Sequence, residues 1–193
     1  MLVSLTIHEW AHAWSADRLG DPTARLLGRV SFNPIVHIDL LGTIILPLVA
    51  MFSGFPILGW AKPVPVNISR LGSPKRDFMI VAAAGPLSNV IQAAVAATAF
   101  HAIGGFTQAG ELGLARVLLM AVSINLLLAV FNMLPIPPLD GGNVLAGLLP
   151  DSMGGMLQGL RQFGFIILYA LMLSGILWRI VDPPYEFLLR LML

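Results

Sequence analysis

The chain contains no cysteine. Disulfides, thiolate metal ligands and a thiol nucleophile are therefore excluded, and the redox compartment leaves no signature. Charge is the second shortage. Asp, Glu, Lys and Arg make up 11% of the 193 residues, against about 25% in an ordinary soluble domain. The formal net charge of +1 is too small to point to nucleic acid or an acidic partner. Apolar side chains take the place of charge: 57% of residues are hydrophobic and the mean hydropathy is +0.85. That composition excludes intrinsic disorder and argues against a water-soluble globule.

The few charges are unevenly spread. None lies between Asp39 and Lys62, Asp77 and Glu111, Arg116 and Asp140, or Arg161 and Arg179. A helix crosses a bilayer in about 20 apolar residues, and each gap is near that length or longer. The chain thus reads as an integral membrane protein, with a single membrane-embedded domain over 1–193. Helices are expected over 1–19, 78–103, 112–134 and 160–180, giving an all-α polytopic fold with about four transmembrane helices. Residues 78–103 are rich in small side chains, which permit close helix packing where lipid supplies no hydrophobic drive. The tail 183–193 reads as an amphipathic surface helix with Glu186 and Arg190 as an i, i+4 pair.

Two short β-strand elements are also expected. Residues 26–34 hold β-formers in loose alternation, and 28–32 is the best strand candidate. Over 60–67, Pro63 and Pro65 lack N–H groups and push their predecessors into extended geometry. Both prolines delete donors from one edge, so Val64 and Val66 keep theirs on the other, as in an edge strand.

Segments 18–37 and 61–77 hold seven of the eleven Lys and Arg, and basic segments favour the cytoplasmic side. The apolar stretch 38–60 between them can cross a bilayer once but cannot go and return. A re-entrant hairpin broken near Gly54 and Pro56 reconciles the two. Helix parity then brings the end of the span over 112–134 to the same side as the end of the first helix.

The strongest chemical signal is His8-Glu9-Trp10-Ala11-His12. Residues four apart share one helix face, so both imidazoles can reach one metal ion. Glu9, beside them, can hold and deprotonate a water. The alternative is a pair of histidines that merely solvates a helix, but ionisable groups in apolar spans are costly and usually functional. A catalytic zinc site takes three protein ligands, and without cysteine the third must be His, Asp or Glu. His37, His101 and a handful of carboxylates remain. Asp140 stands out for its setting, in which Asn132 is followed by Pro135, Pro137 and Pro138 and Asp140 by Gly141 and Gly142. The prolines end the helix, and the glycines permit a sharp turn. On the residues alone, Asp140 is either a ligand or a turn residue.

Together the two motifs resemble those of the site-2 protease family of intramembrane zinc metalloproteases: HExxH in one helix and a Pro-rich segment ending in Asp-Gly in a later one. The segments LGRVSFNP, GWAKPVPVN and Ala84-Gly85-Pro86-Leu87 are similar to the family's small prokaryotic branch, so the resemblance runs from Leu5 to about Leu145. It implies that His8, His12 and Asp140 hold one Zn²⁺, that Glu9 is the catalytic base, and that Asn132 contacts substrate or oxyanion. It also implies a transmembrane protein substrate in a lipid bilayer and a prokaryotic inner-membrane location, with the active site nearer the cytoplasm. PDZ and CBS domains, common in the family, have no counterpart in these residues. Only seven residues precede His8, fewer than in many relatives, which points to a longer native first helix.

The implied reaction is metal-assisted peptide hydrolysis, with a helical substrate unwinding to offer an extended strand. Val64 and Val66, or strand 28–32, could receive it by strand addition. The rival class is a non-enzymatic membrane protein, either a metal transporter or an inactive relative. A transporter would need ionisable residues along several helices, and 78–110 and 117–139 contain no Asp, Glu, Lys or Arg. An inactive relative would typically have lost Glu9 or a ligand.

Overall fold

Pro74, at a first helical position where its missing N–H costs nothing, opens the longest helix of the chain, Pro74–Ala102. Asp77 closes that end by accepting from the Ser73 N–H at 2.6 Å. The computed structural model describes residues 1–53, 61–107 and 113–193. In chain order its α-helices are α1 (Leu2–Arg18), α2 (Thr23–Leu26), α3 (Leu46–Ser53), α4 (Pro74–Ala102), α5 (Gly113–Asn132), α6 (Asp140–Leu148), α7 (Gly154–Leu173) and α8 (Ile176–Met192).

Helix α4 is the hub. One face buries Val81, Ala82, Gly85, Asn89, Ala93 and Ala97, small enough for α1 and α5 to approach closely. Ile80, Leu87, Ile91 and Val95 are exposed, as suits a face toward lipid. Contacts run in opposite senses along the pairs. Helix α1 meets α4 through Ser4, His8 and His12, while the α4 partners step from Asn89 back to Val81. The end of α1, the start of α4 and the end of α5 therefore share one end of the bundle.

Among the described residues two helices, α4 and α5, are long and apolar enough to cross a membrane, and a third span results if α7 and α8 count as one. The expectation of four spans is corrected accordingly. Helix α1 covers 17 described residues, about 26 Å at 1.5 Å per residue. The span expected over 160–180 is broken at Gly175, whose φ of 74° lies in the left-handed region, and the two parts meet at 83°. Beyond the bend, Leu177 and Val181 pack with Val130 and Leu134, while Leu188, Leu189 and Met192 pack against Ala93, Ala97 and Val122. Helix α8 thus runs back along α5 instead of lying apart as a surface tail. The expected Glu186–Arg190 pair forms on its outer side, at 3.8 Å.

Neither expected strand is present among the described residues, where every regular element is helical. Within 26–34, local turns win over a ladder. Gly28 adopts φ 70°, the Arg29 N–H returns to the Ala24 carbonyl, and Asn33 accepts from the Ile35 N–H to cap a 3₁₀ turn over Pro34–His37. Residues 61–67 are irregular, without a ladder partner, because the prolines block one edge. Trp60, Gly54 and Pro56 lie outside the described residues.

The stretch after the 3₁₀ turn begins as a wide π-helical turn, Leu40–Ile45, and continues as α3. Its flanks meet again: the Lys62 N–H donates to the His37 carbonyl at 2.9 Å. The two basic segments are tied together as well, by the Gly72 N–H to the Leu19 carbonyl at 3.2 Å and the Asn67 N–H to Asp21 Oδ2 at 2.6 Å. The break of the expected hairpin, near Gly54 and Pro56, falls outside the described residues.

Candidate active site

His8 and His12 sit one turn apart on the face of α1 that packs against α4, and both are buried. Nδ1 of His12 lies 2.7 Å from the Val81 carbonyl oxygen. A carbonyl oxygen only accepts, so Nδ1 carries the proton and Nε2 presents a lone pair. Nδ1 of His8 likewise donates to Oδ1 of Asn89, at 2.6 Å. The two Nε2 atoms are then 3.1 Å apart. Asp140 completes the group, with Oδ2 at 3.2 Å from His8 Nε2 and Oδ1 at 3.4 Å from His12 Nε2.

Two lone pairs and a carboxylate at such distances repel one another unless a metal ion or a proton lies among them. Tetrahedral zinc, with bonds of about 2.0–2.1 Å, separates its ligand atoms by about 3.3 Å. The spacing of these three residues, which can each offer one ligand atom, fits that ion.

The Pro-rich arm delivers Asp140. Beyond Asn132 the chain folds through short turns, Ile136 N–H to Leu134 carbonyl at 2.7 Å and Leu139 N–H to Ile136 carbonyl at 3.0 Å. Asp140 is the first residue of α6, where its charge also suits the helix dipole. Gly141 is needed for proximity, not for a left-handed backbone: a Cβ there would lie 2.2 Å from the Met133 carbonyl oxygen. Gly85 has a comparable role on α4. Its Cβ would lie 2.3 Å from His12 Nε2 and 2.6 Å from His8 Nε2, so only glycine leaves room for both imidazoles.

A cavity of about 620 Å³ opens beside this group. It is lined by His8, His12 and Asp140 and also by Glu9, Asn132, Val64 and Val66. All seven residues singled out in the sequence thus meet at one space. Asn132 Nδ2 donates to the Leu128 carbonyl at 2.9 Å, which leaves its second amide hydrogen and its Oδ1. His37 and His101 are not among the residues lining the cavity. His37 is buried, with Nε2 donating to the Ser31 carbonyl, while His101 donates to the Met192 carbonyl and ties α4 to α8.

Comparison with known proteins shows the family. The sequence profile of peptidase family M50 matches residues 100–174, a range that includes Asn132 and Asp140 but not the HEWAH segment. A Bacillus subtilis (strain 168) protein named "Putative zinc metalloprotease YwhC" is 36% identical over 199 residues, covering 99% of this chain and 88% of its own length. The chain belongs to peptidase family M50, the site-2 proteases.

Rip2 of Mycolicibacterium smegmatis, of the same description, is 28% identical and matches 92% of the chain. Rip2 of Mycobacterium tuberculosis (strain H37Rv) is 30% identical over 90% of the chain. The chain spans 66% and 64% of those two relatives, under two thirds of each. No solved structure matches this site-2 protease.

Several residues around the site escape a reading of the sequence. Gly85 enters the sequence reading only within the Ala84–Leu87 segment, although its missing side chain is what accommodates the histidines. Asn89 and Asn125 are buried within apolar helices. Their signal was present, since a polar side chain inside an apolar span is uncommon and usually functional. Asn143 also lines the cavity and is held by Arg161 of α7 at 3.3 Å.

Proposed function

We infer that this integral membrane site-2 protease hydrolyses peptide bonds of transmembrane or membrane-associated proteins, with one zinc ion held by His8, His12 and Asp140. The convergence of three acceptor atoms beside Glu9, at one end of a membrane bundle, carries the reading. Residues 1–193 act in it as a single membrane-embedded metalloprotease domain. Zinc, when bound, lowers the pKa of its water to about 7 and polarises the scissile carbonyl.

The protein's own residues supply the rest. Glu9, lining the same cavity as the ligands, orients the attacking water, takes its proton and returns it to the leaving amine. Asn132 offers its remaining amide hydrogen to the oxyanion that develops. The segment 61–66 forms another wall of the cavity, where the backbone at Val64 and Val66 receives an unwound substrate by strand addition. The seven basic residues of 18–37 and 61–77 support an orientation with this end of the bundle toward the cytoplasm, in a prokaryotic inner membrane. The apolar stretch 40–53 dips into the same leaflet, and its exposed Leu40, Leu48 and Phe52 meet lipid.

Zinc content and peptidase activity of the purified protein beside Glu9→Gln test the reading. The variant should keep its zinc and lose about 10²–10⁴-fold in rate. Full activity in Glu9→Gln would refute the mechanism. Asp140→Asn should lower zinc content, and unchanged zinc would remove Asp140 from the ligand set.

A further inference from the structure

Zinc binding by an imidazole needs its lone pair on the correct nitrogen, and the two histidines secure this differently. His12 donates Nδ1–H to a backbone carbonyl, that of Val81, which cannot turn round. His8 donates to a side-chain amide, Asn89, and an amide can rotate by half a turn to present N–H in place of C=O. A rotated Asn89 would donate to Nδ1 of the other His8 tautomer, the one with its proton on Nε2. That proton would then point at His12 and Asp140, and His8 would no longer be a ligand.

Asn125 opposes this rotation. Its Nδ2 donates to the Ala121 carbonyl in the preceding turn of α5 at 2.9 Å, which fixes its own amide. Its Oδ1 therefore faces α4 and accepts from Nδ2 of Asn89, also at 2.9 Å. The Ser4 carbonyl lies 3.5 Å from that same Nδ2. Rotation of Asn89 would set two amide oxygens against each other in a buried, apolar setting, where an unmet polar contact is costly. Both asparagines are almost fully buried, at 0% and 3% exposure, so water offers no substitute partner.

We propose that Asn89 and Asn125 form an amide relay across α1, α4 and α5 that holds His8 in its metal-binding tautomer. Asn89 is the acceptor for His8, and Asn125 keeps Asn89 facing the correct way. Both are positioning residues. The inference rests on the zinc reading above and adds the device that makes His8 a ligand.

The test is zinc affinity of the full chain in detergent, measured by competition with a chromophoric chelator, with circular dichroism to confirm folding. Asn89→Leu should weaken zinc binding by about 10–100-fold, the usual effect of losing a partner behind a metal ligand. Asn89→Asp should bind zinc more tightly than Asn89→Leu, because either carboxylate oxygen accepts from His8, although its second oxygen then faces Oδ1 of Asn125. Asn125→Leu should weaken binding about tenfold in the native background and should cause no loss in the Asn89→Asp background, where a carboxylate has no wrong way round and the opposing Oδ1 is removed. A merely packing role for Asn125 predicts the same loss in both backgrounds, and that result would overturn the relay. If Asn89→Leu does not fold, the pair of backgrounds still decides. His8→Ala separates the two levels of inference. Zinc binding that ignores His8 refutes the zinc reading and the relay with it. Binding that needs His8 but is unchanged by Asn89→Leu refutes the relay alone.

Discussion

A Cβ on Gly85 would lie 2.3 Å from Nε2 of His12, so the space a side chain would occupy on α4 is already filled by the imidazoles of α1. Helix propensity by itself favours alanine over glycine by about 0.5–1 kcal/mol. The imidazole rings border a cavity and can give way, whereas the helix backbone cannot. Gly85→Ala should therefore fold and yet lose zinc affinity by about tenfold or more. Zinc analysis beside thermal unfolding in detergent checks this, and full zinc occupancy would show that the ligands do not depend on that space.

The prolines at 63 and 65 leave Val64 between two residues that cannot donate. If substrate adds as a strand along 61–66, Val64→Pro removes one intermolecular hydrogen bond, about 1 kcal/mol, or roughly a fivefold drop in kcat/KM. Zinc content should not change. Equal cleavage by the variant would remove this wall of the cavity from substrate capture.

Asp21 ties the turn after α1 to the segment that lines the cavity. It is fully buried; its Oδ1 accepts from the N–H and hydroxyl of Thr23, and its Oδ2 from the Asn67 N–H. Burial pushes this carboxyl up, but those donors, with Arg70 nearby, bring it net below the ordinary value of 3.8. The folded state thus favours the ionised form. The stabilisation is complete above the unfolded value of 3.8 and fades as pH falls through the lower folded value. Asp21→Asn should lower thermal stability at neutral pH, and the gap to wild type should close only in strong acid. A gap that closes near neutrality would count against this assignment.

Because the chain has no native cysteine, single labelling sites can be introduced without background. Arg25→Cys and Arg70→Cys place thiols at exposed positions in the two basic segments. A re-entrant 38–60 predicts that a membrane-impermeant maleimide reaches both from the same side. Reaction from opposite sides would make that stretch a true crossing and would separate the Lys62–His37 backbone bond seen here.

Much of the site was legible because charge is scarce in this chain. Where almost every residue in a span is apolar, His8, Glu9, His12 and Asp140 are conspicuous, and their spacing along a helix is fixed by its geometry. The strands were misread because propensity was set against local hydrogen bonds. Gly28 and the Asn33 cap redirect the chain within a few residues, and no neighbouring strand was available to repay a ladder. The break at Gly175 was equally obscure, since hydropathy continues unbroken through a bend.

The sequence by itself determined the medium and singled out the candidate ligand residues, because composition and spacing act locally. Tertiary structure alone decided which nitrogen of each histidine faces the site, which helix must carry a glycine there, and that α8 returns along α5. Those depend on atoms far apart in the chain meeting within about 3 Å, at hydrogen-bond range. The lack of cysteine and the shortage of charge said what the site could be made of, and packing across α1, α4 and α5 decided how it is held.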